Sequence, residues 1–267
     1  MNHIKRSLQT MALFLAALLA IVGSGSYAKQ TLSQPDSAIA GSNNNQRVRF
    51  NPPQASEEDE SDFDDDGRPI NRRPGSDRDY CPVVDLPLTA LIPERDHLVL
   101  TTVRDPAFLF YFPYNIENVK GLEFVLQNSE GDDIYRKSLE LAQRPGVIKI
   151  KLPSEPKNNI DIGEQYHWFF KVYCDSQDTS QYVFVEGWVK RIAIDTQLQE
   201  QLVADESRKY FAYADRGIWY DAMENIAELR LREPDNSELQ KDWAVLLESV
   251  KLSELAQEPL VDCCVVD

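Results

Sequence analysis

The chain is poor in the residues from which most active centres are built. It has three histidines, four cysteines and eleven glycines in 267 residues. His3 falls near the start, His97 follows a polar turn, and His167 sits in a strand-like run. No serine stands in a nucleophile-elbow or triad context that either later histidine could serve. No glycine-rich dinucleotide loop, Walker pattern or HExxH pattern occurs. No catalytic residue and no cofactor site is therefore assigned. Cations are also scarce, with 28 Lys and Arg against 44 Asp and Glu, a formal charge of -16 and a pI near 4.6. Phosphate binding needs Lys/Arg patches, so nucleic acid is excluded as a partner class. The same deficit disfavours adsorption to an anionic membrane. The one long apolar run, residues 11–22, has twelve residues. As a helix it spans roughly 18 Å, short of a hydrocarbon core of about 30 Å.

That run has the layout of an export signal instead. Lys5 and Arg6 precede it, and no Asp or Glu occurs before Asp36. Residues 23–26 are Gly-Ser-Gly-Ser, and Ser26 and Ala28 place small residues at the minus-three and minus-one positions. Residues 1–28 read as a cleavable signal peptide with cleavage after Ala28. The rival reading is a retained anchor. Cleavage would remove two cations and take the charge from -16 to -18. The expected location is periplasmic or extracellular, with no membrane insertion after cleavage.

An even cysteine count in an exported chain favours disulfides. Cys81, Cys174, Cys263 and Cys264 allow three pairings. Cys81 with Cys174 is preferred, because each flanks a strand-rich block. The adjacent Cys263 and Cys264 are left open between a vicinal bridge, an intermolecular bridge and free thiols. Zinc would need CxxC pairs or histidine partners, and neither is present. No metal site is assigned.

Residues 29–79 read as a disordered acidic linker, with eight acids in residues 57–66. Within it Asp62, Asp64, Asp66 and Gly67 match the opening of a calcium loop, but the twelfth position is Arg73 where a bidentate Glu belongs. A solvated linker is the preferred reading.

Residues 80–194 carry strand signals at 97–103, 107–112, 122–127, 133–139, 147–152, 165–174 and 182–191, separated by turn residues. Tyr166, Trp168, Phe170 and Val172 alternate with His167, Phe169, Lys171 and Tyr173. Val183, Val185, Gly187 and Val189 alternate with Phe184, Glu186, Trp188 and Lys190. Seven such runs without helical interludes predict an antiparallel immunoglobulin-like β-sandwich.

Residues 195–258 change to helical spacing. Asp195 caps a helix to about Asp215, and Gly217 ends it. A second helix aligns Trp219, Ala222, Met223, Ile226 and Leu229, and Pro234 follows it. Ser237 caps a third helix, with Gln240 at the capping-box position and a stripe of Leu239, Trp243, Leu246, Leu247 and Val250. Tyr213, Ala222, Ile226 and Pro234 fit part of the tetratricopeptide spacing; Glu206, Lys209 and Tyr210 do not. The expected class is α+β: the sandwich, then a repeat-like helical hairpin plus one further helix, with Trp219 and Trp243 packing onto the sandwich. Residues 259–267 form a cysteine-containing tail.

Several motifs in order resemble the cyanobacterial domain-of-unknown-function family 928. They are Leu88 to Pro93, the aromatic run Phe108 to Tyr114, Val185-Glu-Gly-Trp188, Gly217 to Ala222, Ala227 to Arg230, Trp243 with Leu246 and Leu247, and Pro259 to Cys264. The resemblance covers about residues 80–264. It implies an exported cyanobacterial protein and brings no activity or ligand with it.

Three functions then compete. The first is a non-enzymatic protein-interaction module of the cell envelope or secretion apparatus. The second is a polysaccharide-binding or structural envelope protein, using the aromatic run Phe108, Phe110, Tyr111, Phe112 and Tyr114 as a platform; the alternative for that run is a strand buried on both faces. The third is a carboxylate-based hydrolase, for which Glu123 and Glu186 are the acids on strand-like runs. Oligomeric state is left open.

Overall fold

Strands fall within residues 89–191, α-helices within 196–249, and one further short strand at 260–261. A computed structural model describes residues 47–53, 71–74, 81–94, 98–140, 144–155, 159–174 and 181–261. All lie in the second of the chain's two units, residues 45–267. The strands are β1 (Thr89–Ala90), β2 (Val99–Thr101), β3 (Ala107–Phe112), β4 (Gly121–Gln127), β5 (Asp133–Leu139), β6 (Gly146–Lys151), β7 (Gln165–Tyr173), β8 (Tyr182–Arg191) and β9 (Leu260–Val261). The helices are α1 (Thr196–Ala204), α2 (Lys209–Asp215), α3 (Trp219–Arg232) and α4 (Ser237–Ser249).

The class is α+β. One sheet has the order β1-β3-β6-β9 and the other β2-β8-β7-β4-β5. The alternation in β7 sets how they meet. Tyr166, Trp168, Phe170 and Val172 are buried, while the residues between them are half-buried. Phe110 of the first sheet lies 4.6 Å from Phe170 and 5.4 Å from Trp168 of the second. Phe108 lies 4.9 Å from Phe124.

Neither sheet is wholly antiparallel, contrary to the sequence expectation. β2 runs parallel to β8, and β6 parallel to β9. Both exceptions are short pairings between segments far apart in the chain. β9 returns after the whole helical segment, so no hairpin turn dictates its direction. Gly146 makes the approach feasible: a Cβ there would lie 2.4 Å from Val261 Cγ2 and 2.6 Å from the Pro259 carbonyl oxygen.

The helices complete the core. α3 packs against β2 and β3. Lys149 and Lys151 of β6 pair with Glu228 and Glu224 of α3 at 2.9 and 2.6 Å. β3 is consequently buried along its full length, and its aromatic run is core, not platform. Trp219 donates to the Leu91 carbonyl at 2.7 Å, tying α3 to the loop after β1. Trp243 is fully buried in the same core cluster, and the Arg230 guanidinium lies 4.8 Å from its ring centre.

Two helical expectations need correction. The helix from Asp195 to Asp215 is two helices. Asp195 caps α1 through Leu198 N as predicted, but the Asp205 carboxylate then accepts from Arg208 N and begins a new turn. A mid-run Asp competes for backbone donors and interrupts the helix. For α4 the cap is Asn236, which accepts from Glu238 N and Leu239 N, one residue before Ser237. Gln240 turns to the Pro234 carbonyl.

Two segments of the span read as linker are packed. At residues 71–74, Arg72 is buried and donates to the Val250 and Ile92 carbonyls at 2.8 and 3.2 Å. Its neighbours bridge the sheets: Ala90 N donates to Arg72 O, and Glu186 N to Asn71 O. At residues 47–53, Val48 is buried and Phe50 meets Trp219 edge-on. Sparse apolar residues hid both segments; single well-placed side chains hold them.

Candidate functional site

The outward residues of β7 and β8 follow from strand period. With Trp168, Phe170, Val183 and Val185 turned inward, His167, Phe169, Tyr173, Tyr182, Phe184 and Trp188 share the outer face, half-buried. They form one row of rings. Trp188 stacks on His167 at 4.4 Å with 6° between planes, and His167 meets Phe169 at 4.2 Å. Phe169 and Phe184 lie 6.4 Å apart, Phe184 and Tyr182 5.8 Å, Tyr182 and Tyr173 5.4 Å.

Charges flank the row. Lys171 Nζ lies 5.1 Å from the Tyr182 ring centre and 3.3 Å from Glu123 Oε1. Arg136 binds the same Glu123 oxygen at 2.7 Å and Asp133 at 2.7 Å. The Arg136 hydrogen bond holds the Asp133 carboxyl below its usual value. Burial, with the Glu123 charge second, pushes the Tyr173 phenol up to about 12. Val125, Gln127, Arg136, Phe169, Lys171, Tyr182 and Phe184 surround a hollow of about 140 Å³. Drug-sized ligands occupy roughly 300–1,000 Å³, so this hollow suits a single side chain or ring.

The two acids singled out by sequence share this face without meeting. Glu123 stands opposite Lys171 on β7, and Glu186 opposite Phe169. Two inter-strand steps and two residues separate them, about 12 Å at standard sheet spacings. Glu123 is held by Arg136 and Lys171. Glu186 is buried; it accepts from the Asn71 amide and lies 3.1 Å from His167 Nε2.

A second polar cluster is internal. Asp221, in the first turn of α3, accepts from Thr101 Oγ1 at 2.6 Å, from Thr102 N and from Thr102 Oγ1. Burial pushes its carboxyl up to about 6, against the lowering effect of these donors. It pins α3 to the end of β2, and no sequence pattern marked it.

Of the remaining sequence assignments, Cys81 and Cys174 form a disulfide with 5.2 Å between Cα atoms. Cys263, Cys264, Asp62, Asp64, Asp66, His97 and the cleavage point after Ala28 lie outside the described residues. Arg73 is engaged by Glu254. Among the described residues no helix is long and apolar enough to cross a membrane.

The family model for Domain of Unknown Function (DUF928) matches residues 73–260. The chain belongs to this family. The DUF928 match takes in both sheets from β1 and all four helices, so the row of rings and the Asp221 cluster are parts of the family domain. Its start at Arg73 leaves residues 47–53 outside. A comparison with curated proteins finds no match. The signal for the ring row was present in the sequence, as the polar-side alternation of 165–174 and 182–191; the denser run at Phe108 drew the platform reading instead.

Proposed function

We propose that this DUF928 chain is an exported, non-enzymatic protein-interaction module of the cell envelope or secretion apparatus, engaging its partner through the outer face of the five-stranded sheet. The row of half-buried rings on that face carries the reading. Aromatic residues and Arg are enriched at protein interfaces, where they bring large contact area at low entropic cost. Lys171, Arg136 and Glu123 give the surround a polar rim. The Cys81–Cys174 bridge suits an oxidising compartment.

A photo-crosslinking side chain at Phe169 tests this in intact cells of the source organism. It is expected to yield a discrete protein adduct. The same probe at Val203, exposed on α1, is expected to yield none. Equal labelling at the two positions, or none at Phe169, would end the proposal.

A polysaccharide partner is the second reading, favoured by the same rings, because sugar faces also stack on aromatic planes. Retardation of the protein in gels containing envelope polysaccharide, abolished by Phe169→Ala, would favour it over a protein partner.

A further inference from the structure

Residues 47–53 sit on the corner between α2 and α3 in the manner of a bound peptide. Phe50 packs edge-on against Trp219, with ring centres 4.6 Å apart. Asn51 N–H donates to the Ala214 carbonyl at 3.0 Å. The Asn51 amide donates to the Asp215 carbonyl at 3.2 Å and to Asp215 Oδ1 at 2.7 Å. Gly217 lies flat beneath the segment; a Cβ there would come within 2.7 Å of Asn51 O and of Pro53 Cδ. Its φ of 70° also suits glycine, so one residue both turns the chain from α2 into α3 and clears the floor of the site. An open cleft lies beside the segment, lined by Asn51, Pro52, Pro53, Asp215 and Arg216.

We propose that the α2–α3 corner is a peptide-binding site for an extended aromatic-Asn-Pro-Pro segment, and that residues 47–53 are its resident ligand in cis. Each contact reads one feature. Trp219 takes the aromatic ring. Ala214 and Asp215 together read the backbone and the amide of Asn51. Gly217 admits the Asn51 carbonyl and the Pro53 ring. The resident segment is held by few contacts, of which the buried Val48 side chain is the one set into the main core, so exchange must withdraw it. The segment lies outside the DUF928 match, has a single backbone–backbone hydrogen bond among the described residues, and reaches the domain only through residues 54–70. Covalent attachment gives it a high effective concentration, which a free competitor of the same chemistry must overcome. The site deepens the interaction-module reading by naming a second partner class, but its test needs only the purified chain. A failed peptide assay therefore leaves the Phe169 crosslinking result standing, and the reverse holds too.

The experiment uses the full chain with Phe50→Ala and Asn51→Ala, which vacates the site, and a fluorescent peptide of residues 47–54. Saturable binding at least tenfold tighter than to the unaltered chain is expected. Asn51→Ala in the peptide, or Asp215→Ala in the vacated chain, should each weaken it about tenfold, the scale of one lost hydrogen bond to a charged group. A vacated chain that unfolds cooperatively but binds the peptide no better than a scrambled one overturns the proposal. Loss of cooperative unfolding on vacating the site also overturns it, by making the segment part of the core. In the full chain, Asp215→Ala alone should speed tryptic cleavage after Arg49 at least fivefold. No change there would show that Asp215 does not hold the segment and would likewise overturn the assignment.

Discussion

Asp221 is a buried carboxyl held well above its ordinary value, mainly by burial. Its value near 6 in the folded chain exceeds the usual 3.8. The folded state therefore holds the proton more tightly than the unfolded one. The stability gained this way is complete below about pH 4 and is lost as pH rises through about 6, amounting to about 3 kcal/mol. Asn cannot titrate, so wild type and Asp221→Asn should differ more in favour of wild type at pH 4.5 than at pH 7.5. Urea midpoints of both proteins at the two pH values measure this; a pH-independent difference would contradict it. Tyr220 makes a sharper case for geometry. Its hydroxyl accepts from Trp168 Nε1 at 2.7 Å and donates to the Trp188 carbonyl at 3.2 Å. Tyr220→Phe leaves the buried indole N–H without its acceptor and should cost about 1–3 kcal/mol in urea unfolding.

At the scale of elements, strand period was the strongest signal. The bounds of β3, β5 and β8 coincide with the runs read from alternation and turn residues. Length defeated the same reasoning at β1 and β9, since two residues have no period. The break between α1 and α2 turned on one carboxylate, Asp205, choosing backbone donors ahead of it. The disulfide joins the segment before β1 to the end of β7 across 93 residues of sequence. Closing a loop of that size removes much of the unfolded chain's freedom, so replacing Cys81 and Cys174 together by Ser should cost about 4 kcal/mol. The loss is read from the urea midpoint, and dithiothreitol should lower the wild-type midpoint while leaving the double variant unmoved.

At the scale of the molecule, the β-rich and helical spans share one core. Tyr210, Trp219, Tyr220, Met223 and Ile226 belong to the same buried cluster as Phe108, Phe110, Trp168 and Phe170. The spans should therefore unfold together. Far-UV circular dichroism and tryptophan fluorescence are expected to give coincident urea transitions. Separate midpoints would show that the helices form an independent domain.

The sequence by itself determined the α+β class, the seven strand segments that became β2 to β8, the helical faces and the membership of Cys81 and Cys174 in the strand-rich region. These follow from local period and composition, which need no knowledge of neighbours. Tertiary structure alone decided the parallel pairings, the burial of Phe108 to Phe112, the β7–β8 register that joins the outward rings into one row, and the docking of residues 47–53. Each depends on which surface arrives from a distant part of the chain. A strand apolar on both faces is a platform or a core according to whether a helix covers it, and α3 covers this one.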